Sequence, residues 1–299
     1  MTEIRSIAGG GDAAAWVEVH NEVAPVPITS AELEAYRDAL AGNELHLVAL
    51  ADGAAVGVGF VTVEGEESDA WIGVLQAGRR RGIGRALYKG LSGWARTAGL
   101  EHLEGRVDAA ESDGLAWAAR RGFEEIARET RLALDLADIP EEPPPPAEVE
   151  IVTWAERPEL APRIYAVASE AYPDVPGYEE HPIGPFEEWL AFDMSGPNDR
   201  PEAVFVALVD GEVVGYSKLH LSDARPTVAA NDMTGVRRDW RGRGIAGALK
   251  RTQLAWAKAN GYERLETANE TRNVPIQRLN ERLGYRPFAE RVRLRGPLA

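Results

Sequence analysis

Between Arg237 and Lys250 the chain reads RRDWRGRGIAGALK, with five positive charges and three glycines where a strand-like stretch gives way to an apolar helical run. Backbone N–H groups at a helix start lack intrahelical partners and concentrate partial positive charge. Gly242 and Gly244 let that backbone approach a ligand closely, and Arg237, Arg241 and Arg243 add full charges beside it. Such a loop, running into Ile245 and Ala246, suits a pyrophosphate. A second instance, QAGRRRGIGRALYK at 76–89, repeats the arrangement with Arg79, Arg80, Arg81, Gly82, Ile83 and Gly84. Neither continues as Gly-Lys-Ser/Thr, so neither is a Walker loop. Gly242, Gly244 and Gly247 also satisfy G-x-G-x-x-G, a dinucleotide pattern, but only the middle glycine recurs in the first instance, as Gly82. The preceding RRDW is not the apolar end of a first Rossmann strand.

The elements that must hold these loops occur twice. Arg79, Gly82, Leu87, Trp94, Gly99 and Gly122 each have a counterpart 162 positions on, at Arg241, Gly244, Leu249, Trp256, Gly261 and Gly284. Upstream, LVALADGAAVG at 47–57 matches FVALVDGEVVG at 205–215, 158 positions on. Two copies of one domain, differing by four inserted residues before the motif, account for both offsets. The second copy opens with a strand near 150–154, then helices over 158–171 and 186–194. A hairpin follows that turns at Asp210-Gly211. A strand ends at Val236, a helix runs to Ala259 and stops at Asn260-Gly261, and strand, helix and strand complete the copy. A mixed α/β sheet with covering helices is expected in each copy. Between them ADIPEEPPPPAEVE reads as a stiff linker over 137–149, which divides the chain into domains at 1–136 and 150–299.

The chain has 299 residues, 44% hydrophobic and 27% charged, the composition of a soluble globular protein. It holds no cysteine, which removes disulfides, thiolate metal sites and cysteine nucleophiles. No metal site is expected. A net charge of −15 argues against nucleic-acid binding, which needs a broad basic surface. The most apolar window, 45–63, carries Asp52-Gly53 near its middle and reads as a hairpin, not a membrane span. No signal segment is visible at the start, so the expected location is cytoplasmic, as a monomer or homodimer.

R-x-x-G-x-G/A after a strand ending in valine, followed by N-x6-[NY]-x3-G-[FY], resembles the GCN5-related N-acetyltransferase family. Both copies carry the first motif and the second copy carries the later one, so the chain resembles a tandem member over nearly its whole length. The resemblance implies a mainly antiparallel twisted sheet in each domain, with a splayed central strand pair. It implies acetyl-CoA as co-substrate, its pyrophosphate on Arg241 to Ala246 and on Arg79 to Gly84, with Arg237 alongside. The pantetheine arm would lie in the splay, and backbone N–H groups near Val236, and near Val74 in the first copy, would meet the thioester carbonyl.

The family's asparagine falls on Asn273 and its usual tyrosine acid on Asn280, with Ala118 in the first copy. Neither Asn280 nor Ala118 can act as an acid of useful pKa, and a thiolate leaves well without one. Asn280 could instead hydrogen-bond the sulfur, while Asn273, just before Val274-Pro275, also reads as a helix cap. Where the second copy has Asn269, Asn273 and Asn280, the first has Val107, Glu111 and Ala118. The second copy is therefore expected to be catalytic and the first a CoA-binding or scaffolding domain. Candidates for the base are Asp232 and Glu270, ahead of the weaker His220 and His181. The aromatic, acidic stretch 172–189 would cap the amine side.

These readings favour acetyl transfer to the primary amine of a small molecule by direct attack, without an acyl-enzyme. Acetylation of a cysteinyl amine, in the manner of the tandem member mycothiol synthase, is a narrower version. A non-catalytic CoA-sensing module stands as the alternative, and a nicotinamide oxidoreductase as a distant third.

Overall fold

The computed structural model describes residues 2–7, 10–40, 42–64, 67–139, 145–176, 179 and 183–299. His181 and the middle of the proline run lie outside the described residues. Two compact units result: residues 1–128 with 290–299, and residues 129–289.

In the first unit β1 (Thr2–Ser6), β2 (Glu44–Ala51), β3 (Ala54–Glu64) and β4 (Glu67–Val74) form an antiparallel sheet in that order. Helix α3 (Ile83–Thr97) buries Ile83, Leu87 and Leu91 on one face, at the four-residue spacing of a helical stripe. On the other face, α1 (Gly10–Val23) and α2 (Ser30–Ala39) cover Val48 and Val58 with Trp16 and Leu33. β5 (His102–Asp108) and α4 (Ser112–Ala119) follow. Residues 102–108 of β5 pair antiparallel with residues 291–297 of the chain's last strand, β12 (Arg286–Pro297).

The second unit mirrors this plan. β7 (Glu150–Thr153), β8 (Asp199–Val209), β9 (Glu212–Leu221) and β10 (Val228–Val236) run antiparallel, and β11 (Arg264–Glu270) joins β10 in parallel. Beyond β11, residues 129–135 of β6 (Glu124–Asp135) complete the sheet. Helix α7 (Ile245–Ala259) covers one face; α5 (Ala161–Ala171) and the short α6 (Phe186–Trp189) cover the other. With both faces covered, β9 is buried along almost its whole length. α8 (Val274–Leu283) precedes β12.

Each copy thus sends its last strand into the other's unit. The proline run separates the sequence copies, whereas the compact units divide at 128/129 and 289/290. Leu136 and Val149, on either side of that run, are both buried in the core of the second unit. The glycine motif follows the fourth strand of a mainly antiparallel sheet and not the first of a parallel one, so the dinucleotide alternative fails.

Candidate active site

The cradle is built from backbone. Gly242 and Gly244 take φ of 77° and 84°, left-handed values that side chains disfavour, and Gly244 caps α7. Ala248 N–H is the first to bond back, to Gly244 O at 3.0 Å, which leaves the N–H groups of Ile245, Ala246 and Gly247 aimed outward. The first unit repeats the trace, with Gly82 at 83° and Arg80, at 62°, in the place of Gly242; Ala86 N–H bonds Gly82 O at 3.0 Å. Ile83 and Ile245 are buried and anchor each loop to its core. Gly84 is not required for space, since a Cβ there would meet the Trp117 indole at 3.5 Å, an ordinary contact, and the second unit carries Ala246 at that place.

The arginines divide into two kinds. Arg241 Nε donates to Val236 O at 2.9 Å, and Arg79 Nε to Val74 O at 3.2 Å, so the first arginine of each motif ties the loop to the strand before it. Asp174 pairs with Arg241 at 2.6 Å and Arg238 at 2.9 Å, and Glu170 with Arg237 at 3.5 Å. The Arg238 hydrogen bond, opposed by burial and supported by Arg241, holds the Asp174 carboxyl below its usual range. Arg243 stacks on Trp240 at 4.5 Å and keeps its charge at the surface. In the first unit Arg81 meets Asp52 at 3.6 Å and Arg80 meets Asp113 at 4.0 Å.

Beside the cradle the sheet opens. β10 and β11 pair only from Val228 with Arg264 to Asn231 with Thr267; Asp232–Val236 and Ala268–Glu270 are unpaired with each other. Arg237 N–H bonds Val214 O at 2.9 Å, so by antiparallel alternation Val236 turns its N–H toward the opening. At the crotch β10 carries a bulge. Asn231 pairs with Leu219 and Met233 with Lys218, which leaves Asp232 as an extra residue between them.

Asp232 is 43% exposed and its Oδ2 lies 2.9 Å from Lys218 Nζ. Burial pushes this carboxyl upward, but the Lys218 charge and hydrogen bond outweigh it and leave the pKa below the ordinary value. Lys218 also lies 3.3 Å from Asp199 and donates to the backbone carbonyl of Asp193. The Asp193 carboxyl accepts from Tyr172 at 2.7 Å; its burial raises its pKa despite that bond. Two carboxylates, Asp199 and Asp232, therefore share one lysine, and Tyr172, which holds the Asp193 carboxyl, packs in one hydrophobic cluster with an aromatic wall of Tyr165, Phe186 and Trp189. Lys218, Tyr172 and Asp193 escape a reading by motif; the acidic composition of 172–189 was the only hint.

The other expected residues lie elsewhere around the opening. Glu270, at the end of β11, is occupied by Arg272 through its backbone N–H at 3.0 Å and its side chain at 3.1 Å. Asn273 stands at the start of α8, but its side chain makes no capping bond. Asn280 is wholly buried; its Nδ2 donates to Asn269 Oδ1 at 2.6 Å, while its own Oδ1 has no partner. His220 sits in β9 opposite Ala230, just below the bulge.

The first unit differs at this point. Phe60 pairs with Trp71 and Val61 with Ala70 without interruption, so β4 has no bulge and no counterpart of Asp232. Trp71, where the second unit has Met233, folds over its own strand: a Cβ on Gly73 would lie 2.3 Å from the indole. His20 and Phe60 pack against it, and Trp16 and His46 extend the cluster, with Trp16 and His20 stacked at 4.8 Å. Burial lowers the pKa of His20.

A mainly antiparallel sheet that splays beside a helix-start cradle, with the cradle present twice, defines a tandem acyl-CoA-type transferase. The chain belongs to the acetyltransferase (GNAT) family, whose model matches residues 13–123 and again 161–285. It is an acetyltransferase with acetyl-CoA as co-substrate. It is 26% identical over 255 residues to the mycothiol acetyltransferase of Actinosynnema mirum, covering 82% of this chain and 81% of that one. Its fold is similar to that of a tandem GNAT protein from the clavulanic acid biosynthesis pathway, with a TM-score of 0.80 and 22% identity over 100% of this chain and 99% of that one. A GCN5-related N-acetyltransferase from Sphaerobacter thermophilus superposes with a TM-score of 0.79 at 21% identity, covering 99% and 96% of the two chains. Among the described residues no helix is long and apolar enough to cross a membrane, and no cluster of potential ligands could hold a metal.

Proposed function

We propose that the second unit transfers the acetyl group to a primary amine of a small, cationic molecule, with Asp232 as the base. The observation that carries this is the bulge at Asp232, which sets an ionised carboxylate at the crotch of the splay in one unit only. Acetyl-CoA would be held by the N–H groups of residues 244–247, with Arg243 beside them, and along the opening between β10 and β11. Bound there, it supplies an acyl group activated as a thioester. The outward N–H of Val236 is placed to stabilise charge on the carbonyl oxygen. Asp193, Asp199 and Asp232 outnumber Lys218, so the acceptor side favours an ammonium, and the part-buried Tyr172 supplies surface for its organic part. Asp232 takes the ammonium's proton, directly or through water, and its lowered pKa keeps it ionised at neutral pH. Asn280 acts on the reaction by holding Asn269, not as an acid.

A cysteinyl amine, the narrower reading, remains one small amine among those the wall would admit, and the 26% identity to a mycothiol acetyltransferase supports including it. The first unit binds CoA at its own cradle without turnover, because Trp71 and its neighbours fill the space an acceptor needs. The test has two stages. Thermal shift with acetyl-CoA, CoA and NADPH should show stabilisation by the CoA compounds alone. Thiol release with a panel of amines should then fall about a hundredfold or more in Asp232→Asn with acetyl-CoA binding intact. Full turnover in that variant would remove Asp232 from the mechanism.

A further inference from the structure

Lys250, on α7, is the largest oddity in the core of the second unit. It is 1% exposed, and among the described residues no carboxylate pairs with it. The helix that carries it also buries Leu249, Leu254 and Ala257 in the apolar core of this unit. Burial alone pushes its pKa down to about 7. An ammonium without a counter-charge is costly in such a place, and an apolar chain of the same length would pack there at less cost. The lysine is therefore not explained by the fold.

Its contacts lead to the crotch of the splay. Lys250 Nζ donates to Asn231 Oδ1 and lies 5.5 Å from the Tyr285 ring centroid. Asn231 Nδ2 donates to Gln253 Oε1 at 2.9 Å, and Thr267 Oγ1 donates to Asn231 O at 3.2 Å. Asn231 is the last residue of β10 paired to β11 and the last before the bulge. A slip of one residue through the bulge into regular pairing would turn Asp232 to the other face of the sheet. The amide of Asn231, gripped by two side chains of one helix, opposes that slip. In the first unit the strand register sets Ala70 against Asn231, and the repeat sets Tyr88 and Leu91 against Lys250 and Gln253. The grip is missing from the unit that lacks the bulge.

We propose that Lys250 is a positioning residue for the second unit, holding Asn231 and through it the bulge that presents Asp232. The inference rests on the reading of Asp232 as the base. The test is Lys250→Met, which keeps the length and removes the amine. Its melting temperature should equal or exceed that of the parent, and KM for acetyl-CoA should be unchanged. Its kcat should fall about tenfold to a hundredfold, the usual effect of misplacing a reacting group by about an ångström. Asn231→Ala should lose kcat similarly, and the double variant should lose no more than either single one, because both break one connection. A packing role alone would leave kcat intact. Full kcat in a folded Lys250→Met or Asn231→Ala overturns the proposal, as does an additive double variant. Asp232→Asn assayed beside them separates the two claims. If it is inactive while Lys250→Met is active, only the positioning role falls. If it is active while Lys250→Met is impaired, the effect does not run through Asp232 and the proposal also fails.

Discussion

Asp232 and Lys250 carry opposite electrostatic burdens a few residues apart in space, and each makes a pH prediction. Asp232 has a lowered pKa, so it stays charged until the pH falls below the ordinary carboxylate value. The acid limb of turnover that belongs to this base should accordingly lie below that value; a limb well above it would point to another group. Lys250 titrates near 7 when folded, against 10.5 for an ordinary lysine. Between those values the unfolded chain holds the proton and the folded one does not, so this residue's contribution to stability rises with pH. The parent should gain on Lys250→Met by up to about 1.4 kcal/mol per pH unit across that window, measured by denaturant unfolding. A pH-independent difference would mean that the lysine does not titrate there. Sequence pointed to Asp232 because it precedes a recognisable motif. It could not point to Lys218 or Lys250, because the partner of a charge is set by which strands and helices pack together, and no local spacing encodes that.

At the level of elements, hairpins and helix ends were legible because their chemistry is local. Asp52-Gly53 and Asp210-Gly211 both adopt positive φ at both positions, and α7 ends beside Gly261 as its Asn-Gly pair suggests. The bulge was present in the sequence but disguised. Four residues appear inserted in the second copy between hairpin and motif, yet the register assigns three to the β9–β10 connection and one, Asp232, to the strand itself. A single insertion inside a strand resembles loop variation until pairing is known. The tyrosine position shows the reverse. Asn280 is 0% exposed in this packing, so Asn280→Tyr should overpack the helix–sheet contact and cost about 1–3 kcal/mol. A stable, more active Asn280→Tyr enzyme would show that α8 can shift to admit the ring.

The whole molecule is tied together by exchange of its final strands. β5 finds its antiparallel partner in β12, about 190 residues later, and β11 finds β6. Sequence could not reveal this, because the two last strands have similar alternation and nothing local selects between equivalent partners. Residues 1–136 alone should therefore leave β5 with an open edge and fail to give a stable monomer, as size-exclusion and hydrogen exchange would show. A folded, well-protected fragment would mean that β6 can take the place of β12. The central claim, that one unit turns over and the other does not, is tested most directly by thiol release from Gly244→Val and Gly82→Val assayed together. The two glycines have matching φ of 84° and 83°, so the backbone strain imposed is equal, about 1–2 kcal/mol in each. Gly244→Val should abolish acetyl transfer, whereas Gly82→Val should keep appreciable turnover. Equal loss from both, or loss from Gly82→Val alone, would contradict the assignment of catalysis to the second unit.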